Sequence, residues 1–174
     1  MTAVFFERYY ADDAALRLYS AGEQLASAVK YMLEVADAKL RGRKEVRGSR
    51  LLAVTKHLES ERPDHKVTRA LLSLKVSGVW KSTVAYRNEW VHDQPPTVAG
   101  LGIVHHRRRR WQFLKDGKPG YLTVGGGDEP KHTTDNLIGL LEPAFEQFIL
   151  AATVCVEYYE GMLTDRGITK GSGG

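Results

Sequence analysis

Apolar residues recur along this chain at two spacings, and the change between them divides it. Leu18, Gly22, Leu25, Val29, Met32, Ala36 and Leu40 stand three or four apart, on one face of a long amphipathic helix. Asp12 or Asp13 suits its N-terminus. Arg17, Glu23, Lys30, Glu34 and Lys39 fall mostly on its other side, and Gly42 and the basic residues 41–50 break the pattern. A second helix is predicted over 49–60, with Leu51, Leu52, Val54 and Leu58 as its apolar residues and Pro63 beyond its end. A third pattern runs from about Asp64, a capping residue, to Trp90. It carries two stripes: Val76, Trp80, Val84, Arg87 and Val91, and Val67, Leu71, Leu74, Gly78 and Ala85. Two stripes on one helix predict more than one neighbour, as in a bundle.

From 95 to 130 the helical period gives way to Gly, Pro and short β-type runs. Residues 102–114 and 121–124 flank a turn-rich connector and predict a β-hairpin. The final helix is predicted to start at Thr133, Thr134 or Asp135. Its apolar face would be Ile138, Leu141, Phe145, Phe148, Ala152, Cys155 and Tyr159, with Pro143 as a kink or a first-turn residue. The sum is an all-α bundle of four to five helices with a β-hairpin inserted before the last long helix. It forms one domain over 1–168, with about 97–130 as the inserted hairpin and 169–174 as a flexible tail.

Composition narrows this little. The chain has 174 residues, enough to bury a core without staples. The single cysteine, Cys155, excludes an internal disulfide and a cysteine-rich zinc site, and predicts a reducing, cytoplasmic setting. It falls on an apolar stripe, as a buried inert thiol does. No run reads as long or apolar enough to span a bilayer. Gly125-Gly126-Gly127 is not a phosphate loop, because no Lys-Ser/Thr follows it.

Charge and chemistry gather in two places. The first is Tyr86-Arg87-Asn88-Glu89-Trp90-Val91-His92, followed by Pro95-Pro96. Pro95 disfavours helical geometry at Gln94, so the helix should stop near His92. On a continuous helix Asn88 and His92 share a face, while Arg87 and His92 lie about 140° apart. Arg87 falls on a core stripe, which is unusual for arginine. Either it pairs with a carboxylate as a structural residue, or the stripe faces a groove or a second subunit and Arg87 meets a phosphate there. His92 is either a partner of the helix dipole or a base. Near its ordinary pKa a histidine can take a proton from a 2′-hydroxyl, and arginine can stabilise the phosphate under attack. Asparagine can orient either group. Together these are parts for cleaving RNA through its own 2′-hydroxyl without a metal.

Arg87-Asn88-Glu89-Trp90-Val91-His92 resembles the signature of the HEPN superfamily (higher eukaryotes and prokaryotes nucleotide-binding domains), an arginine, a polar residue, three to five further residues and a histidine. That family's fold is an all-α bundle of four or five helices, with the signature at the end of a late helix. The resemblance implies a metal-independent endoribonuclease without a cofactor, acting as a homodimer whose two motifs meet across the interface. Many members are toxins or effectors of defence systems, which implies an antitoxin or defence-system partner. By position, Arg87 and His92 would be the catalytic pair and Asn88 the polar residue between them. Some members silenced by nucleotidyl transfer carry a tyrosine two residues after the histidine; here Gln94 stands there. Members that have lost catalysis bind RNA or partners only.

The second place is His105-His106-Arg107-Arg108-Arg109-Arg110-Trp111-Gln112-Phe113. It is either a solvated edge strand whose charges block aggregation, or a phosphate-gripping arm. In the latter case Arg107, Arg108, Arg109 and Arg110 would meet phosphates and Trp111 would stack on a base. Adjacent histidines on a strand point to opposite sides, which argues against metal binding by His105 and His106.

Overall fold

A computed structural model describes residues 2–40, 48–92 and 131–168. These form six helices and no β-strand: α1 (Thr2–Met32), α2 (Asp37–Leu40), α3 (Arg50–Glu61), α4 (Lys66–Val76), α5 (Gly78–His92) and α6 (Thr134–Asp165). The described part is therefore all-α. The expected hairpin, with Pro95, Pro96 and Arg107 to Trp111, lies outside the described residues.

The two longest helices, α1 and α6, lie against each other. α3 and α5 pack on α1, and α4 closes the bundle against α3 and α6. Val29, Val54, Leu58, Val67, Leu71, Leu74 and Leu137 are wholly buried at the centre. Each such side chain contributes about 1.5–3 kcal/mol on leaving water.

Local capping set two boundaries as expected. Ser49 caps α3, its Oγ accepting from the Leu52 amide at 3.3 Å. Thr133 caps α6 and accepts from the Asn136 amide at 3.1 Å. α6 then runs unbroken through Pro143, which leaves the Gly139 carbonyl without its helical donor.

Other boundaries differ. α1 begins ten residues before Asp12, because Asp12 is used in the middle of the helix by tertiary partners rather than as a cap. α1 also stops at Met32 rather than Leu40. There the Val35 amide bonds the Lys30 carbonyl at 2.9 Å and the Glu34 amide the Tyr31 carbonyl at 3.1 Å. This is the Schellman ending, with Glu34 at φ 54° in the left-handed position that glycine usually takes. Lys30, placed on the polar side by its spacing, is buried and paired with Asp37 at 2.5 Å.

The single helix expected from Asp64 to Trp90 is two. His65, not Asp64, caps α4: its Nδ1 accepts from the Val67 amide at 3.3 Å. Ser77 leaves the helical region (φ −51°, ψ 129°), and its Oγ accepts from the Trp80 amide at 3.4 Å to start α5. The stripe read as Val76, Trp80, Val84, Arg87 and Val91 is thereby broken: Trp80 is buried, while Val76 and Val91 are exposed.

Two further expectations change at α6. It is long and apolar enough, by length and composition, to cross a membrane, contrary to the expectation from sequence. It meets that test because apolar residues cover its outer face as well as its core face. The core takes Leu137, Leu141, Ala144, Ala151 and Cys155. Ile138, Phe145 and Tyr159, expected inside, are exposed, as are Ile149, Leu150 and Val156.

Candidate functional site

The rotation of α5 about its axis decides what Arg87 faces. Tyr86 and Trp90 are four apart and point together at Asp12 of α1. The Tyr86 hydroxyl donates to Asp12 Oδ1, and Trp90 Nε1 donates to Asp12 Oδ2 at 3.0 Å. Arg8 Nε reaches the same Oδ2 at 3.3 Å. One carboxylate thus accepts from three side chains on two helices. Burial first, and then the bond to Asp12, push the Tyr86 phenol well above its ordinary range, so it stays a neutral donor. His132 abuts Tyr86 edge-on at 5.2 Å between ring centroids. Burial lowers its pKa; Glu89 opposes that shift and Lys131 adds to it. Glu89 also pairs with Lys131, tying α5 to the start of α6.

At the other end of α5, Trp80 lies against α1 at Gly22. A Cβ on Gly22 would stand 2.6 Å from Trp80 Cζ2 and 2.8 Å from Cη2. Only hydrogen fits there, which explains a glycine inside a helix that it weakens by about 1 kcal/mol relative to alanine. Trp80 also stacks on Phe148, with ring centroids 6.4 Å apart.

With both ends fixed, Arg87 and Asn88 fall at the rim of a cavity of about 640 Å³ between α1, α3, the end of α4 and α5. The Arg87 guanidinium lies 4.2 Å over the Tyr19 ring, and its Nη1 donates to Asn88 Oδ1 at 3.0 Å. Its Nε is buried and finds no acceptor among the described residues. The Tyr19 hydroxyl donates to the Gly48 carbonyl at 3.0 Å. Burial raises its pKa most, Glu23 adds to this and Arg87 opposes it, so the ring under the guanidinium is the neutral phenol.

Leu51, Leu52, Val76, Trp80 and Val84 make the apolar wall of the cavity, and Lys75, Lys81 and Arg87 stand on its edge. The one carboxylate, Glu23, is spent on the start of α3. It accepts from Ser49 Oγ and the Arg50 amide, each at 2.5 Å, and from the Leu51 amide at 3.4 Å. Lys75 reaches Glu59 at 3.4 Å. The rim therefore carries more positive than negative charge.

Of the residues singled out from the sequence, Arg87 and Asn88 touch. His92 is the last residue of the same helix, one turn beyond Asn88. Arg107, Arg108, Arg109, Arg110 and Trp111 lie outside the described residues. Sequence reasoning missed Tyr19, Asp12 and the Trp80–Gly22 contact. Only Gly22 left a signal, as a glycine on an apolar helical stripe. Among the described residues no three His, Cys, Asp or Glu side chains gather to hold a metal ion. Two more cavities follow the α1–α6 groove. One, of about 400 Å³, is bounded by Ala14, Leu18, Ala21 and Phe145; the other, of about 470 Å³, by Leu25, Met32, Val156 and Tyr159. No family model, no curated protein and no solved structure matches the chain.

Proposed function

We propose that the protein is a metal-independent endoribonuclease of the HEPN type, acting in the cytoplasm as a homodimer with a site composed from two α5 ends. The observation that carries this is the placement of Arg87-Asn88 and His92 in the last turns of a late helix in an all-α bundle, with Arg87 and Asn88 open to a basic-rimmed cavity. In this scheme His92 takes the proton of a ribose 2′-hydroxyl. The freed oxygen attacks the adjacent phosphorus, and the 5′-oxygen of the next nucleotide leaves and is protonated. The products are a 2′,3′-cyclic phosphate and a 5′-hydroxyl. Arg87 holds the phosphate oxygens as their charge grows, and Asn88 sets the direction of the guanidinium. The arm Arg107 to Trp111 grips RNA in the same scheme, and an antitoxin or another defence-system component restrains the activity.

The test is cleavage of single-stranded RNA in EDTA by the wild type, His92→Ala and Arg87→Ala. Each variant is expected to lose about 10²–10⁴-fold in rate. Equal cleavage by all three, or none by the wild type, sinks the catalytic assignment. One observation favours a second reading, a non-catalytic RNA-binding or protein-docking module of the same fold: Arg87 is already engaged by Tyr19 and Asn88. That reading predicts salt-sensitive RNA binding with no product.

A further inference from the structure

The cavity beside Arg87 is larger and more apolar than a phosphate clamp requires. We propose that it takes up one unstacked base of single-stranded RNA, with the phosphate next to that base held by Arg87. Naming RNA as the source rests on the endoribonuclease reading; the chemistry of the cavity does not.

Three observations point the same way. The volume, about 640 Å³, lies within the range of small-ligand sites and leaves room for a base with its ribose. The wall of Leu51, Leu52, Val76, Trp80 and Val84 suits a flat, weakly polar ring rather than a sugar chain or a bare ion. The edge suits one anionic group, because Glu23 is consumed by Ser49, Arg50 and Leu51 while, among the described residues, the Nη groups of Arg87 are used only toward Asn88. A phosphate oxygen would meet the Nη edge of the Arg87 guanidinium, and Lys81 stands about one and two-thirds turns away on the same rim.

The other cavities do not offer this combination. Arg17 at the first is paired with Asp13 at 2.6 Å, and Arg166 at the second faces Glu34 at 3.7 Å. A base inside a duplex has both faces covered by its neighbours and cannot enter the site. The substrate class is therefore single-stranded RNA, or a loop whose bases are splayed out.

The test is an NMR titration of the full-length His92→Ala protein with each ribonucleoside 3′-monophosphate, the matching nucleosides and inorganic phosphate. The nucleotides are expected to shift resonances of Leu51, Leu52, Trp80 and Val84. Nucleoside alone and phosphate alone should each bind about tenfold more weakly or worse. Leu52 and Val76 are 39% and 59% exposed, so Leu52→Trp and Val76→Trp can fill the cavity with the fold intact, as unchanged thermal unfolding would verify. Each should weaken nucleotide binding about tenfold. Nucleotide binding that is absent, that is unchanged by both tryptophans, or that inorganic phosphate matches overturns the inference. The two readings fail separately. Nucleotide binding blocked by tryptophan, with no cleavage by the wild type in EDTA, removes the nuclease and leaves the base site. Cleavage of single strands untouched by both tryptophans removes the base site and leaves the nuclease.

Discussion

The two flanks of α1 solve opposite problems. On one, Asp12, Tyr19 and Glu23 face α5 and the start of α3, and each polar group meets a partner from a distant part of the chain. On the other, Ala14, Leu18, Ala21, Leu25 and Met32 face α6 across a groove whose far bank is apolar and in water, with Phe145 53% and Val156 54% exposed. One flank is held by a few directional bonds that fix the angle of α5. The other is held by area, which tolerates sliding and substitution. A candidate site needs the first kind of support, since a rotation of α5 by one residue, about 100°, would carry Arg87 away from its cavity.

The largest effect is expected at Asp12. Arg8 and Asp12 each keep only 12% of their side-chain surface exposed, and two further donors depend on the carboxylate. Asp12→Ala should cost about 3–5 kcal/mol in denaturant unfolding. Asp13→Ala, one residue along in an exposed pair with Arg17, should stay within about 0.5 kcal/mol. Equal losses would mean that the polar flank owes nothing to its buried bonds.

Next come two glycine substitutions of opposite sign. Gly22→Ala drives a methyl into Trp80 and should destabilise by about 1–3 kcal/mol. Gly139→Ala, on the outer flank of α6 with nothing within 4 Å, should stabilise by about 0.5–1 kcal/mol. Thermal melts of the two variants settle the signs.

The boundaries within reach of local chemistry were legible in the sequence. Ser49 and Thr133 cap helices through bonds to amides three residues on, so a short window contains the cap itself, though at Ser49 the more distant Glu23 adds to it. The all-α character followed from the spacing of Val29, Leu58, Leu71 and Leu141. The break at Ser77 was not legible, because Val76 to Val84 keeps a helical period straight across it. Nor was Asp12, whose partners Tyr86 and Trp90 lie 74 and 78 residues away and leave no periodic trace. Arg87 was marked in the sequence as an arginine on an apolar stripe, a stripe that the exposure of Val76 and Val91 breaks. What receives it, the ring of Tyr19, belongs to another helix and could not be read from α5.

The smallest expected effect is on pH dependence, and it too separates the flanks. Burial lowers the pKa of His132 beside Tyr86, and that of His65 at the start of α4, where Arg62 and Lys66 add to the shift. A lowered folded-state pKa means that the unfolded chain binds the proton more readily. Stability is therefore complete above the ordinary value of 6.5 and falls as pH drops below it, through the folded-state values. His132→Gln should flatten part of that slope. His65→Asn, which keeps an acceptor for the Val67 amide without titrating, should flatten another part. Phe145→Ser, on the apolar flank, should leave the slope unchanged.

The burial of Cys155 has a practical consequence. Its thiol is pushed up to about 11 by desolvation, so at neutral pH only a fraction on the order of 10⁻⁴ is the reactive thiolate. The chain contains no other cysteine. A thiol introduced at Asn88 or at Phe145 would then be the one group that a maleimide label or an oxidant finds. The wild-type chain thus comes with a silent background for chemical mapping. Whether two copies meet at their α5 ends, as the composite site demands, becomes a question of which engineered thiol forms the interchain disulfide.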